Sequence, residues 1–315
     1  MVSPHVAVIG AGSIGRRHAG NLAELGAKVA HIGWRDFDAA AFAARRDLDA
    51  VVIATATQIR LDLIALCARM GLPFYVEKPL TWSRAELDAI HEAAAPVAER
   101  SMVGFMMRYH PVMRALAAED LSDIYAFSFE IGHDVRQWRP NWRFGDSYAA
   151  RPEGGGVLLD LSHELDMAQM LFPGLALRAV DSLGHAEFPG VDFATTLQLA
   201  TPGGAIGTVS MDYLSPVFLR RARLRGLSRN IEIDFLVPSL RFVTPEGAQT
   251  QAFPFERNEM FLAAMTDFLT LVRTGEGAEI TAHAPRLAKT LATDRLVAEA
   301  WERRAFQGHV ALDMG

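Results

Sequence analysis

Cysteine is almost absent from this sequence, with Cys67 the single example in 315 residues. One thiol forms no intramolecular disulfide and no cysteine metal cluster, so the sulfur content does not call for an oxidising compartment. Long apolar runs are missing too. Stretches such as Leu61 to Leu66 give way to charge or glycine well short of the roughly 18 residues that a membrane-spanning helix needs. There is no excess of basic residues: 31 Lys and Arg stand against 37 Asp and Glu, a net charge of −6 that excludes a globally basic nucleic-acid binder. The start, Met1-Val-Ser-Pro-His5, enters a strand-like run at once, without the basic segment and apolar core of an export signal, and a cytosolic protein is expected. No Gly-x-Ser-x-Gly turn offers a serine nucleophile. The ten histidines form no paired set with carboxylates at metal-ligand spacing, so no metal is expected.

What is present describes a folded chain. Half the residues are hydrophobic and 22% are charged, which excludes intrinsic disorder. At roughly 150 residues per domain the length favours two domains. Residues 5–9, 29–32, 50–54 and 73–76 are short, continuously apolar runs alternating with helical patterns, as in a parallel sheet covered on both faces. A further strand at 102–105 closes an abbreviated doubly wound half, and the boundary is placed near Pro111, giving domains 1–111 and 112–315. Beyond it, alternating strands are read at 123–133, 177–187, 192–200, 205–214, 219–228 and 231–236, which predicts a large, mainly antiparallel sheet. One helix is expected at about 157–172. Two long helices end the chain, with Phe261, Met265, Phe268 and Val272 on one stripe.

Gly10, Gly12 and Gly15 lie between the first strand and the first helix, the context that gives a dinucleotide fingerprint its meaning. Gly10 allows the tight turn, Gly12 removes a side chain where a pyrophosphate approaches, and Gly15 lets helix pack on strand. The N–H groups at the helix start then meet the phosphate charge. The alternative is a tight turn without ligand. After the second strand comes Gly33-Trp34-Arg35-Asp36, where Arg35 suits the 2′-phosphate of NADP or stacking on adenine and Asp36 suits ribose hydroxyls. NAD or NADP is therefore the expected cofactor, leaning to NADP because Arg35 comes first.

Lys78 follows an apolar strand at the carboxyl end of the sheet, where doubly wound proteins bind ligands. Burial beside a positive nicotinamide ring would depress its pKa and let it exchange a proton with a substrate oxygen. The alternative is a surface lysine. In the expected helix at 157–172, Asp160, His163, Glu164 and Met167 share one face, with Leu158, Leu161, Leu165 and Ala168 on the other. An aspartate one turn from a histidine can hold its ring and stabilise the imidazolium, the arrangement of a proton acceptor near neutral pH; the alternative is a helix with a wet face. Trp138, Arg139, Trp142, Arg143 and Tyr148 suit stacking on a sugar and pairing a carboxylate or phosphate, or else a loop packed by its own aromatics. Arg108 is a further candidate for an anionic substrate group. Arg221, Arg223 and Arg225 alternate along one strand, as a solvated face, an oligomer contact or a phosphate site.

Taken together, Gly10-x-Gly12-x-x-Gly15-x-x-His18, Asp49-Ala-Val-Val-Ile-Ala-Thr55, Glu77-Lys78-Pro79-Leu80, Gly104-Phe105-x-x-Arg108-Tyr109 and Gly154-Gly-Gly-x-Leu158-x-Asp160 with His163 and Asp166 resemble the glucose-fructose oxidoreductase / inositol dehydrogenase / MocA family over nearly the whole chain. The resemblance implies an α/β fold: an abbreviated N-terminal doubly wound Rossmann domain and a C-terminal α+β domain with a large open sheet. It also implies NAD(P)-dependent chemistry on sugars, cyclitols and their derivatives, with the cofactor at Gly10, Gly12, Ser13, Ile14, Gly15, Trp34, Arg35, Thr55, Thr57, Glu77, Lys78 and Pro79. Lys78, Arg108, Trp138, Arg139, Tyr148, Asp160 and His163 are the substrate-side set, and Lys78, His163 and Asp160 its catalytic core. A Pro79 that is often cis and a homodimer or homotetramer belong to the same implication. Asp160 and His163 are three apart where the family pattern has four, so alignment on Asp160 places Glu164 at the histidine position; His163 is preferred. Arg60 stands where many relatives have a histidine. The segment from Tyr148 to Asp166 is similar to relatives associated with bacterial surface-sugar biosynthesis. The expected function is interconversion of a secondary alcohol and a ketone on a sugar, cyclitol or nucleotide-sugar substrate. A non-catalytic nucleotide sensor or scaffold, or a reductase of a C=C or C=N bond, are the alternatives.

Overall fold

The computed structural model describes residues 3–138 and 143–314. The first part of the chain alternates β1 (His5–Ile9), α1 (Ser13–Glu24), β2 (Lys28–Ile32), α2 (Ala39–Ala43), β3 (Ala50–Ile53), α3 (Arg60–Arg69), β4 (Phe74–Val76), α4 (Arg84–Ala94) and β5 (Met102–Val103). Then come α5 (Pro111–Leu116), β6 (Ile124–Gly132), α6 (Val157–Asp160), α7 (His163–Leu171), β7 (Ala176–His185), β8 (Ala194–Ala200), β9 (Ile206–Asp212) and β10 (Leu219–Gly226). The chain ends with β11 (Asn230–Asp234), β12 (Ser239–Thr244), β13 (Gly247–Ala252), α8 (Arg257–Thr274), α9 (Leu287–Glu302) and β14 (Ala305–Val310).

Two compact units result. Unit 1 comprises Met1–Tyr109 and Glu256–Asp294, and unit 2 comprises His110–Phe255 and Arg295–Gly315. This differs from two contiguous segments split at residue 111. The physical reason is α8, whose Phe261 and Phe268 lie edge-on to His18 and Tyr75 and whose Asp267 accepts from the Tyr109 hydroxyl at 2.8 Å.

The sheet of unit 1 is wholly parallel in the order β2-β1-β3-β4-β5. Strands β1 (His-Val-Ala-Val-Ile), β3 (Ala-Val-Val-Ile) and β4 (Phe-Tyr-Val) are buried at every position, as expected of strands covered on both faces. On one face Ala7, Ile9, Val51, Ile53, Phe74 and Val76 join Phe42 of α2, Leu63 and Ile64 of α3 and Leu87 and Ile90 of α4 in a single core. Each large side chain so buried stabilises the fold by about 1.5–3 kcal/mol. The alternate positions, Tyr75 among them, meet α1 and α8.

The nine-stranded sheet of unit 2 runs β13-β12-β11-β10-β6-β9-β8-β7-β14, antiparallel except for the β6–β9 and β7–β14 pairs. Arg221, Arg223 and Arg225 are exposed between buried Ala222 and Leu224, with Arg221 paired to Glu130 at 2.8 Å and Arg225 over Tyr125. Strands β12, β13 and β14 add to those read from the sequence. β13, Gly-Ala-Gln-Thr-Gln-Ala, is exposed throughout and carries no apolar alternation to signal it. The helix expected at 157–172 is two helices. Ser162 donates its hydroxyl to the Leu159 carbonyl at 3.2 Å, competing with the backbone where the helix breaks.

Candidate functional site

The turn between β1 and α1 has the sterics of a dinucleotide loop. Gly10 has φ of +120°, and a Cβ there would collide with the Ala54 carbonyl. A Cβ on Gly15 would strike the carbonyl oxygen of Gly10. Gly12 is different, exposed and with nothing within 4 Å of a built Cβ, so its lack of a side chain leaves open surface rather than relieving a clash. The first turn of α1 has no side-chain cap and no acidic residue, the electrostatic setting that an anion needs at a helix N-terminus. The residues present therefore fit a dinucleotide. Ser13 and Ile14 occupy that first turn. His31 hydrogen-bonds the Gly10 carbonyl oxygen at 3.0 Å, and Arg16 donates to the Ala11 carbonyl at 2.5 Å. Neither contact had a sequence signal.

After β2, Trp34, Arg35 and Asp36 form one exposed helical turn. Trp34 stacks on Phe37 with ring centroids 5.4 Å apart. The Asp36 carboxylate folds back over Gly33, where a built Cβ would lie 2.8 Å from it and 4.0 Å from Ala11 of the glycine loop.

The turn leaving β4 carries Glu77, Lys78 and Pro79, with a cis bond between Lys78 and Pro79. Glu77 is bound by the fully buried His18 of α1 at 2.7 Å, and Gly104 leaves room for its carboxylate, which would lie 3.0 Å from a Cβ there. Lys78 is half-buried. Arg60, buried at the start of α3, donates to the carbonyl oxygens of Pro79 and Thr55, the latter at 2.9 Å. Thr55 and Thr57 are half-buried in the turn leaving β3. Arg108 is buried, lies over Phe105 and donates to the His283 carbonyl at 3.4 Å.

In unit 2, Gly156 takes φ of +90° and turns the chain into α6, and a Cβ there would collide with Asp192. Asp192, fully buried, accepts from the Leu158 amide and the Thr195 hydroxyl, both at 2.9 Å, and pairs with Arg304. Asp160 at the end of α6 accepts from two phenols: the exposed Tyr148 at 2.5 Å and the fully buried Tyr213 at 3.1 Å. Burial first, and the Asp160 charge next, push the Tyr213 hydroxyl well above its ordinary pKa, so it stays protonated and donates. His163 opens α7, and the helix break means that it and Asp160 do not share one continuous helical face as the sequence suggests. Nor is that face wet. His163, Glu164 and Asp166 are all buried, and Glu164 pairs with Arg220 at 2.6 Å. Trp138 packs edge-on against Tyr213 at 5.2 Å, and Phe144 packs against Phe188, Phe193 and Tyr213. The aromatics of this segment thus pack against Phe188, Phe193 and Tyr213 from later in the chain rather than against one another alone, while Tyr148 is exposed. Arg139 and Trp142 lie outside the described residues. Among the described residues there is no group of three or more His, Cys, Asp or Glu that could hold a metal ion, and no helix is long and apolar enough to cross a membrane.

Residues 109–229 match the sequence model of the GFO/IDH/MocA C-terminal domain. Over that segment the chain is similar to the Gfo/Idh/MocA family. It is 29% identical to scyllo-inositol 2-dehydrogenase (NAD(+)) of Bacillus subtilis over 87% of this chain and 88% of that protein. Its fold is similar to an oxidoreductase from Agrobacterium radiobacter solved with NAD+, L-tartaric acid and magnesium, with a TM-score of 0.80, 19% identity and 96% of each chain covered. A 3-ketoreductase from Actinomadura kijaniata, solved with TDP-benzene and NADP, superposes with a TM-score of 0.78 at 18% identity over 98% of this chain and 100% of that one. Within the Gfo/Idh/MocA pattern of this chain, the residues that sequence reasoning left without a role are Arg60, Tyr213 and Asp192. Each acts through a long-range contact, and His18, which the motif includes, gains its role only through its bond to Glu77.

Proposed function

We propose that this protein is a nicotinamide-dependent oxidoreductase that interconverts a secondary alcohol and a ketone on a sugar, cyclitol or nucleotide-sugar substrate. The observation that carries the proposal is the glycine loop, in which Gly10 and Gly15 are sterically obligatory and Gly12 is open, on the same parallel sheet whose β4 delivers Lys78. The names of the relatives, inositol dehydrogenase among them, support the substrate class. When bound, the nicotinamide supplies the hydride donor or acceptor.

Lys78 and His163 are the proposed proton-handling pair at the substrate oxygen, one taking or returning the proton and the other polarising the C–O bond. Asp160 accepts from Tyr148 and Tyr213, and the exposed Tyr148 phenol is a proposed substrate contact. Arg108 is a proposed contact for an anionic substrate group, with one of its guanidinium nitrogens donating to the His283 carbonyl at 3.4 Å. For the cofactor, the Asp36 carboxylate turned back over Gly33 repels a 2′-phosphate, which supports NAD over the NADP that Arg35 alone suggests. A homo-oligomer in the cytosol belongs to the same proposal, and light scattering of the purified chain tests its assembly.

Thermal-shift titration with NAD, NADH, NADP and NADPH, followed by sugars, UDP-sugars and sugar acids with the stabilising cofactor, tests the function through nicotinamide absorbance. Turnover is expected on at least one hydroxylated substrate and lost in Lys78→Met. Full activity in a Lys78→Met, His163→Ala double variant would end the assignment.

A further inference from the structure

Arg60 is 4% exposed, and its fork of terminal nitrogens reaches two backbone carbonyls. One belongs to Thr55, in the turn that leaves β3; the other belongs to Pro79, in the turn that leaves β4. The two strands are neighbours, with Ile53 opposite Val76, so a single planar cation bridges two adjacent turns at the carboxyl ends of the sheet. On the other side of Lys78 in the chain, the Glu77 carboxylate is held by His18 of α1. Both residues that flank Lys78 are therefore tied down, one through its side chain and one through its carbonyl.

We propose that Arg60 is a positioning residue for Lys78, joining the Glu77-Lys78-Pro79 turn to the Thr55 turn so that the two move as one rigid body. The inference rests on the function proposed above, in which Lys78 meets the substrate oxygen. Guanidinium suits the task because its donors are fixed in one plane and diverge, whereas a smaller group satisfies one carbonyl and leaves the other without its donor. Imidazole has a shorter reach than guanidinium. Misplacement of a reacting group by about 1 Å costs on the order of a hundredfold in rate, so a clamp on the backbone beside Lys78 acts on turnover rather than on substrate affinity.

The sequence contains three lysines, Lys28, Lys78 and Lys289, which makes the position of Lys78 directly observable. Reductive methylation with 13C-formaldehyde keeps each ammonium charged, and the Lys78 signal is assigned by its loss in Lys78→Arg. In the full chain its methyl resonance is expected away from the exposed-lysine position and to respond to NADH. Arg60→Met should return it to the exposed-lysine position while the Lys28 and Lys289 signals stay where they are, and Arg60→His should fall between. Turnover should show kcat reduced roughly 10- to 100-fold with the KM for the sugar within about threefold. A Lys78 signal unmoved in Arg60→Met overturns the proposal. So does loss of the folded circular-dichroism spectrum in both Arg60 variants, which would assign Arg60 to folding alone. Activity retained in Lys78→Met, with the signal still moving in Arg60→Met, overturns instead the function on which the inference rests.

Discussion

Asp36 and Arg35 are adjacent residues with opposite implications for the cofactor, and the side-chain direction of Asp36 separates them. Removing its carboxylate in Asp36→Ala should raise NADPH affinity relative to NADH by about tenfold or more, since one lost charge repulsion of about 1.4 kcal/mol is a factor of ten; fluorescence titration of both cofactors checks it. An unchanged ratio would leave Arg35 as the group that selects. His110 offers a pH test. Burial, and then the positive charge of Arg220, hold its pKa down at about 4 against an ordinary 6.5, and Phe235 and Phe255 enclose the ring edge-on. The folded chain thus resists protonating His110 while the unfolded chain accepts the proton readily. Its contribution to stability is whole above pH 6.5 and is lost as the pH falls from there toward 4. Urea unfolding at about pH 7 and about pH 5 should show that loss, with a smaller fall in His110→Asn, which keeps an acceptor for the Val112 amide but does not titrate.

The three glycines of the first turn serve different physical ends, and substitution separates them. Gly15→Ala forces a Cβ into the Gly10 carbonyl and should destabilise unit 1 by about 1–3 kcal/mol or more. Gly12→Ala meets nothing, so its melting temperature should match the parent while NADH affinity drops about tenfold or more. A Gly12→Ala variant that binds NADH normally would remove the loop from the cofactor site. Helix α6 depends on a buried charge in the same local way. Asp192 caps it and is compensated by Arg304, itself packed over Trp301. Arg304→Met strands that carboxylate and should cost unit 2 about 3–5 kcal/mol in urea unfolding, with partial recovery in the Arg304→Met, Asp192→Asn double variant because the uncompensated charge is gone.

At the scale of the whole molecule, unit 1 is discontinuous, and that organisation has a direct consequence. A fragment ending at Tyr109 lacks α8 and so exposes the surface of His18, Tyr75 and Tyr109 that Phe261, Phe268 and Asp267 cover. It should be digested rapidly by a nonspecific protease, whereas 1–109 joined by a flexible linker to 256–294 should resist. Equal resistance of the two would mean that α8 is dispensable to the unit.

Local pattern alone was enough to determine the parallel half of this protein. The apolar runs of β1, β3 and β4, the glycine spacing and the Glu77-Lys78-Pro79 turn are all signals within a few residues of one another, and burial on both faces leaves such strands no other composition. Strands such as β9, β10 and β11 were legible for a different reason, because burial on one face only writes a two-residue period. Tertiary structure decided the rest. Whether α6 and α7 are one helix depended on the Ser162–Leu159 hydrogen bond and on Asp192, 34 positions beyond the amide it caps. β13 formed without any apolar alternation because β12 supplied its hydrogen bonds. Asp160 gained two tyrosines, and Arg60 gained two carbonyls, from segments whose proximity no spacing encodes. Sequence spacing carries information about neighbours along one element, while these contacts exist only once separate elements have packed.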